Sequence, residues 1–139
     1  MSRRAKAGAP KPIGPASLAF EDELLDIDHW PHGWRVEPRD MAPGQRLLDI
    51  FKVFLVHLLS LGRARTTLRV HRDNLSTLGG QLIRLLHENP SLRTQGIVRV
   101  LAEAIDDDGG PIIYPPLTEP EQRSFDSTCR LLHRFMRLG

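Results

Sequence analysis

Between residues 47 and 59 apolar side chains recur at intervals of three and four: Leu47, Ile50, Phe51, Phe54, Leu55, Leu58 and Leu59, with Leu48, Val53 and Val56 widening the stripe. This is the period of an α-helix buried over most of its circumference, and it predicts a central helix. Pro43 suits its first turn, with the cap near Asp40 and Met41. Gly62 stands where a helix commonly needs a left-handed residue to stop. A second helix is expected from Arg65 or Thr66, because Leu68, His71, Leu75, Leu78, Leu82 and Leu85 alternate three and four apart and form one seam. Gly79-Gly80 interrupts that seam. Two glycines cost about 1 kcal/mol each relative to alanine, so a kink or a division into two pieces is expected there.

Downstream, Asn89-Pro90 reads as a cap and a first-turn proline for a third helix with Ile97, Val98, Val100, Leu101 and Ile105 on its apolar side, and Gly96 leaves its exact start open. The run Asp106 to Gly110 ends that helix, and Pro111 to Pro116 is extended, as a short strand or lid. Thr118-Glu119-Pro120-Glu121 is a capping box ahead of a last helix with Phe125, Cys129, Leu132, Phe135 and Met136 on one face. Upstream, Leu18, Phe20, Leu24, Leu25 and Ile27, followed by Trp30-Pro31-His32-Gly33-Trp34, predict a short helix and a turn pinned to the body. Residues 1–16 hold four bases, three prolines and two glycines with little to bury, which predicts a disordered basic arm. The expected fold is all-α: a small helical bundle of four to five helices, with an arm over 1–16, a partly ordered acidic segment with both tryptophans over 17–41, and a helical domain over 42–139.

A length of 139 residues, 40% of them hydrophobic, suits one domain with a core of its own. The formal charge of +2 conceals segregation. Residues 13–40 carry seven acids against Arg35 and Arg39, residues 45–75 carry six bases against Asp49 and Asp73, and residues 100–126 carry seven acids against Arg123. Arg130, Arg134 and Arg137 follow in the last helix. Almost all the positive charge is arginine, the side chain suited to bidentate phosphate or carboxylate contacts, which favours a nucleic acid or an acidic protein as partner. A single cysteine, Cys129, leaves no intrachain disulfide and fits a reducing compartment. The apolar run Val53 to Leu61 is too short to span a bilayer, and Met1-Ser2-Arg3-Arg4 leads into no apolar segment, so no membrane partner and a cytoplasmic location are expected.

The offsets Gly62, Thr67, His71, Leu75 and Leu78, preceded by Phe54-Leu55 and Leu58-Leu59, resemble the core-binding domain of tyrosine recombinases and phage integrases. The resemblance covers about residues 42–90. His71 stands where that family usually has tyrosine, Leu78 where it often has phenylalanine, and the glycine pair is an interruption. The resemblance implies a small helical bundle that clamps DNA, associated with integration, recombination or a mobile element and working beside a catalytic recombinase. The residues agree with a DNA-facing role: the second helix opens at Thr66-Thr67, where free N–H groups and the helix dipole favour phosphate. Arg63, Arg65, Thr66, Thr67, Arg69 and Arg72 are the expected phosphate contacts. The competing expectation is that Thr66 is only a cap and that Asp106-Asp107-Asp108 or Glu21-Asp22-Glu23 folds back on the same arginines. A helical protein-interaction module, an adaptor or regulatory subunit with no nucleic-acid role, is the alternative function.

No enzyme is expected. Tyr114, the only tyrosine, sits between isoleucines and prolines, and His133-Arg134 does not reproduce the recombinase family's His-x-x-Arg. His29 and His32 lack the further ligands of a tetrahedral metal site, His57 and His71 lie in apolar stripes as core or boundary residues, and the three aspartates lack the spaced ligands of a calcium loop. No phosphate-cradling glycine loop marks a nucleotide cofactor, and none is expected.

Overall fold

The computed structural model describes residues 15–138. The expected arm therefore lies outside the described residues except for its last two. The described chain forms an all-α bundle of six α-helices and two short 3-10 helices: α1 (Pro15–Leu24), α2 (Trp30–Trp34), a 3-10 turn (Pro38–Asp40), α3 (Met41–Ser60), α4 (Arg65–Glu88), a 3-10 segment (Pro90–Gln95), α5 (Ile97–Ala104) and α6 (Glu119–Leu138). None is long and apolar enough to cross a membrane.

The two leucine seams are buried as their spacing predicts, but Val53 and Val56, expected to widen the α3 stripe, are exposed, so α3 is buried on one face rather than over most of its circumference. Leu47, Phe51, Phe54, Leu55 and Leu58 of α3 are buried against Leu68, Leu75, Leu78 and Leu82 of α4, and α6 adds Phe125, Cys129 and Leu132. Each such side chain contributes about 1.5–3 kcal/mol by leaving water. Gly62 turns the chain between α3 and α4 with φ 73°, and the two helices then run antiparallel, so that the end of α4 returns to the start of α3. The box at Thr118 is complete: its N–H donates to Glu121 Oε1 at 2.9 Å, and the Glu121 N–H donates to Thr118 Oγ1 at 3.3 Å. Those bonds hold the Glu121 carboxyl below its usual range.

Several expectations need correction. Helix α4 is continuous through Gly79-Gly80. The glycines are the floor for an indole: a Cβ on Gly79 would lie 2.2 Å from Trp34 Cζ2, and Trp34 Nε1 donates to the Ser76 carbonyl at 2.9 Å. The lost helix propensity is thus exchanged for close packing of α2, which is helical rather than a plain turn. The third helix divides at Gly96, whose φ of 84° separates the 3-10 segment from α5, and Asn89 makes no side-chain cap. Among the described residues there is no strand after Gly110. The only bridge joins Asp106 to Gly109 in a turn that Asp106 Oδ1 secures by accepting from the N–H groups of Asp108 and Gly109.

Asp40 precedes α3 as expected, yet its carboxylate points back and across rather than capping it. It is buried and accepts from the N–H groups of Val36 and Glu37 at 2.8 and 3.0 Å, from Arg93 Nη2 at 2.7 Å, and contacts His87 Nε2 at 2.8 Å. Burial raises the Asp40 carboxyl, but the bonds to His87, Arg93 and the two backbone donors outweigh it and hold the group well below the usual carboxylate range. One side chain closes the end of the α3–α4 pair opposite Gly62.

Candidate nucleic-acid interface

Ala64 is the residue before α4 and has no side-chain oxygen to offer, so it supplies no side-chain cap to the N–H groups of the first turn. Thr66 is inside the helix and does not cap it. Arg63, Arg65, Thr66 and Thr67 are all exposed at this end. The six expected contacts do not form one row, however. Phe20, Leu24 and Ile27 bury the apolar side of the N-terminal segment in the bundle and bring Glu23 onto α4. Glu23 accepts from Arg69 Nε and Nη2 at 2.7 and 3.0 Å and from Arg72 Nη1 at 3.2 Å. Arg72 also reaches Asp73, and only 20% of its side chain is exposed. Arg65 and Arg69 lie over the Phe20 ring at 5.0 and 5.1 Å. The hydrogen bonds of Arg69, with a further contribution from Arg72, pull the Glu23 carboxyl down to about 2 against a smaller desolvation effect. The acidic segment does fold back on Arg69 and Arg72, and it is the Glu21-Asp22-Glu23 group that does so.

Of the other expected residues, Arg63 and Thr67 turn toward α6, whereas Arg65 lies over Phe20 and Thr66 stays exposed on the first turn. That helix runs antiparallel to the first half of α4: Asn74 Nδ2 donates to Thr128 Oγ1 at 2.8 Å and to the Ser124 carbonyl and hydroxyl at 3.2 Å, and His71 Nδ1 meets Thr128 Oγ1 at 2.7 Å. Beyond this polar seam the helices leave a cleft of about 490 Å³ with Arg63 and Thr67 on one wall and Ser124, Ser127, Arg130 and Arg134 on the other. No carboxylate among the described residues lines it. Among the described residues, Arg63, Arg130 and Arg134 make no ion pair, and Arg130 Nη1 donates to the Asp108 backbone carbonyl at 3.5 Å. His71 forms part of the floor, and burial together with the nearby Arg63 charge lowers its pKa, so the imidazole is held neutral. Three guanidinium groups and three hydroxyls lining a cleft that has no acid among the described residues can receive the oxygens of a phosphate.

Of the residues lining this cleft, Arg63 and Thr67 are among those the sequence pointed to, whereas Arg130, Arg134, Ser124 and Ser127 are not. Their signal is the spacing 124, 127, 130/131, 134 on α6, which places small hydroxyls and arginines on the face toward α4. His57, expected as core or boundary, is exposed and rests 4.9 Å from the Phe135 ring. Tyr114 stays a surface residue: its N–H donates to Gln81 Oε1 at 3.3 Å and Arg84 lies 4.6 Å from its ring. Cys129 is buried, and burial and Asp126 push its thiol up to about 12, which leaves it unreactive. Comparison with family models, curated proteins and solved structures gave no match to this chain.

Proposed function

We propose that this chain is a non-catalytic nucleic-acid-binding module, related in plan to the core-binding domain of tyrosine recombinases and acting in DNA recombination or integration. The observation that supports this reading is the acid-free cleft at the start of α4, where Arg63, Arg130 and Arg134 are free of carboxylates. The uncapped first turn of α4 opens beside it and adds the positive end of a 24-residue helix. The contact set shifts accordingly: Arg63, Arg65, Thr66 and Thr67 remain, Arg130 and Arg134 join them, and Arg69 and Arg72 are held by Glu23. An adaptor that docks another helix through its leucines has less support, because the seams of α3 and α4 are covered within the monomer.

The test is fluorescence anisotropy of labelled DNA at 50 and 200 mM salt. The three guanidinium groups of the cleft alone predict a slope near −2.7 on duplex, a loss of roughly 40-fold in affinity over that range. Arg63→Ala with Arg134→Ala lowers both the affinity and the slope. Binding that ignores salt, or that is unchanged in the double variant, refutes the reading.

A further inference from the structure

A second cavity of about 300 Å³ opens beside the arginine cleft, lined on its apolar side by Phe54, Leu58, Leu61 and Phe135 with the exposed His57 at its edge. The two cavities are adjacent and share Arg63, Leu131 and Arg134 in their linings, so the depression they make together has aromatic and aliphatic walls at one end and guanidinium and hydroxyl walls at the other. Among the described residues neither part is lined by a carboxylate. Resting on the nucleic-acid reading above, we infer that this depression receives a nucleotide of a single strand, with its base against His57 and Phe135 and its phosphate among Arg63, Arg130 and Arg134.

Chemistry and shape both separate a single strand from a duplex here. A nucleotide is an apolar plate joined to an anion, and the depression offers an apolar wall joined to cations. In a duplex the base faces are stacked and paired, leaving only edges and phosphates to a protein, so the apolar half would have nothing to receive. Two members of the row that would lie flat along a duplex backbone, Arg69 and Arg72, are already engaged by Glu23. Arg63, Arg130 and Arg134, without an ion pair among the described residues, converge in a concavity. The apolar half sits at the small end of the usual range for ligand cavities, about 300–1,000 Å³, as suits one base.

Three measurements on the full chain test this. Anisotropy with labelled single-stranded oligothymidylate and with a duplex of equal length should show the single strand bound at least tenfold tighter, the worth of about one stacked base. His57→Ala with Phe135→Leu should abolish that preference while leaving duplex affinity within about twofold, with circular dichroism confirming that the variant is folded. A single strand carrying 2-aminopurine should lose fluorescence on binding the natural chain and not on binding this variant. Equal affinity for both forms, or a preference that survives in the variant, overturns the inference and leaves the nucleic-acid reading intact. No salt-dependent binding of either form overturns both.

Discussion

Replacing Gly79 by alanine sets two large effects against each other. On propensity alone the change stabilises α4 by about 1 kcal/mol, since glycine in a helix interior costs that much. The new Cβ, however, would stand 2.2, 2.5 and 2.6 Å from three atoms of the Trp34 indole, which is closer than carbon atoms can approach. The indole must leave. Losing a well-packed tryptophan costs about 3 kcal/mol for a half-buried ring, and its bond to the Ser76 carbonyl adds about 1 kcal/mol. The expected net effect is a loss of about 3 kcal/mol, which lowers the melting temperature by roughly 10 °C. Gly80 is the control. Its Cβ would meet Trp34 Cδ1 at 3.4 Å, an ordinary contact, so Gly80→Ala keeps most of its propensity gain and stabilises by up to about 1 kcal/mol. Urea unfolding followed by far-ultraviolet circular dichroism measures both. In a Trp34→Ala background the clash is gone and Gly79→Ala should become stabilising. A stabilised Gly79→Ala single variant, or an effect of the same size and sign with and without Trp34, refutes the idea that the glycine pair exists to seat the indole.

Asp40→Ala should cost roughly 3 kcal/mol in urea unfolding, because it strands Arg93 and two backbone donors. His71 has its pKa lowered in the folded chain, so the unfolded chain binds more protons just below the ordinary value of 6.5. Stability should therefore be fully held above that pH and fall as pH drops through it, and His71→Gln should flatten the slope in unfolding measured from pH 5 to 8. Cys129 should resist a thiol reagent in the native chain and react fully in denaturant, as absorbance of the released thiolate reports.

Local grammar made most of the bundle legible. The alternation of three and four in α3 and α4, the stop at Gly62 and the box at Thr118 each act through neighbours within a turn or two, and each appears where the spacing puts it. Gly79-Gly80 was misread because its reason lies 45 residues away in Trp34, and propensity contains no term for an indole arriving from another helix. The site divided in the same way. Arg63 and Thr67 were legible from the start of α4, but their partners on α6 depend on how α6 crosses α4, which Asn74, His71 and Thr128 determine in space. The pairing of Arg69 and Arg72 with Glu23 was foreseeable as a charge match, and the choice of Glu23 over the three aspartates follows from Phe20 and Leu24 docking beside it.

The seat of Trp34 also determines what light can report about this molecule. The chain's only two tryptophans lie on one short helix with ring centroids 5.7 Å apart, and Trp34 meets the edge of Phe51 at 6.2 Å. Intrinsic emission is thus a single-address signal, read at the junction of α2, α3 and α4. Gly79 is 12 residues along α4 from Thr67, which at 1.5 Å per residue places that address about 18 Å from the arginine cleft. A ligand entering the cleft leaves the indoles in the same surroundings and the emission unchanged, whereas α2 coming away from the bundle shifts it at once, ahead of any large loss of helix. Unlabelled fluorescence on this protein is therefore an instrument for its latch and is blind to its cleft.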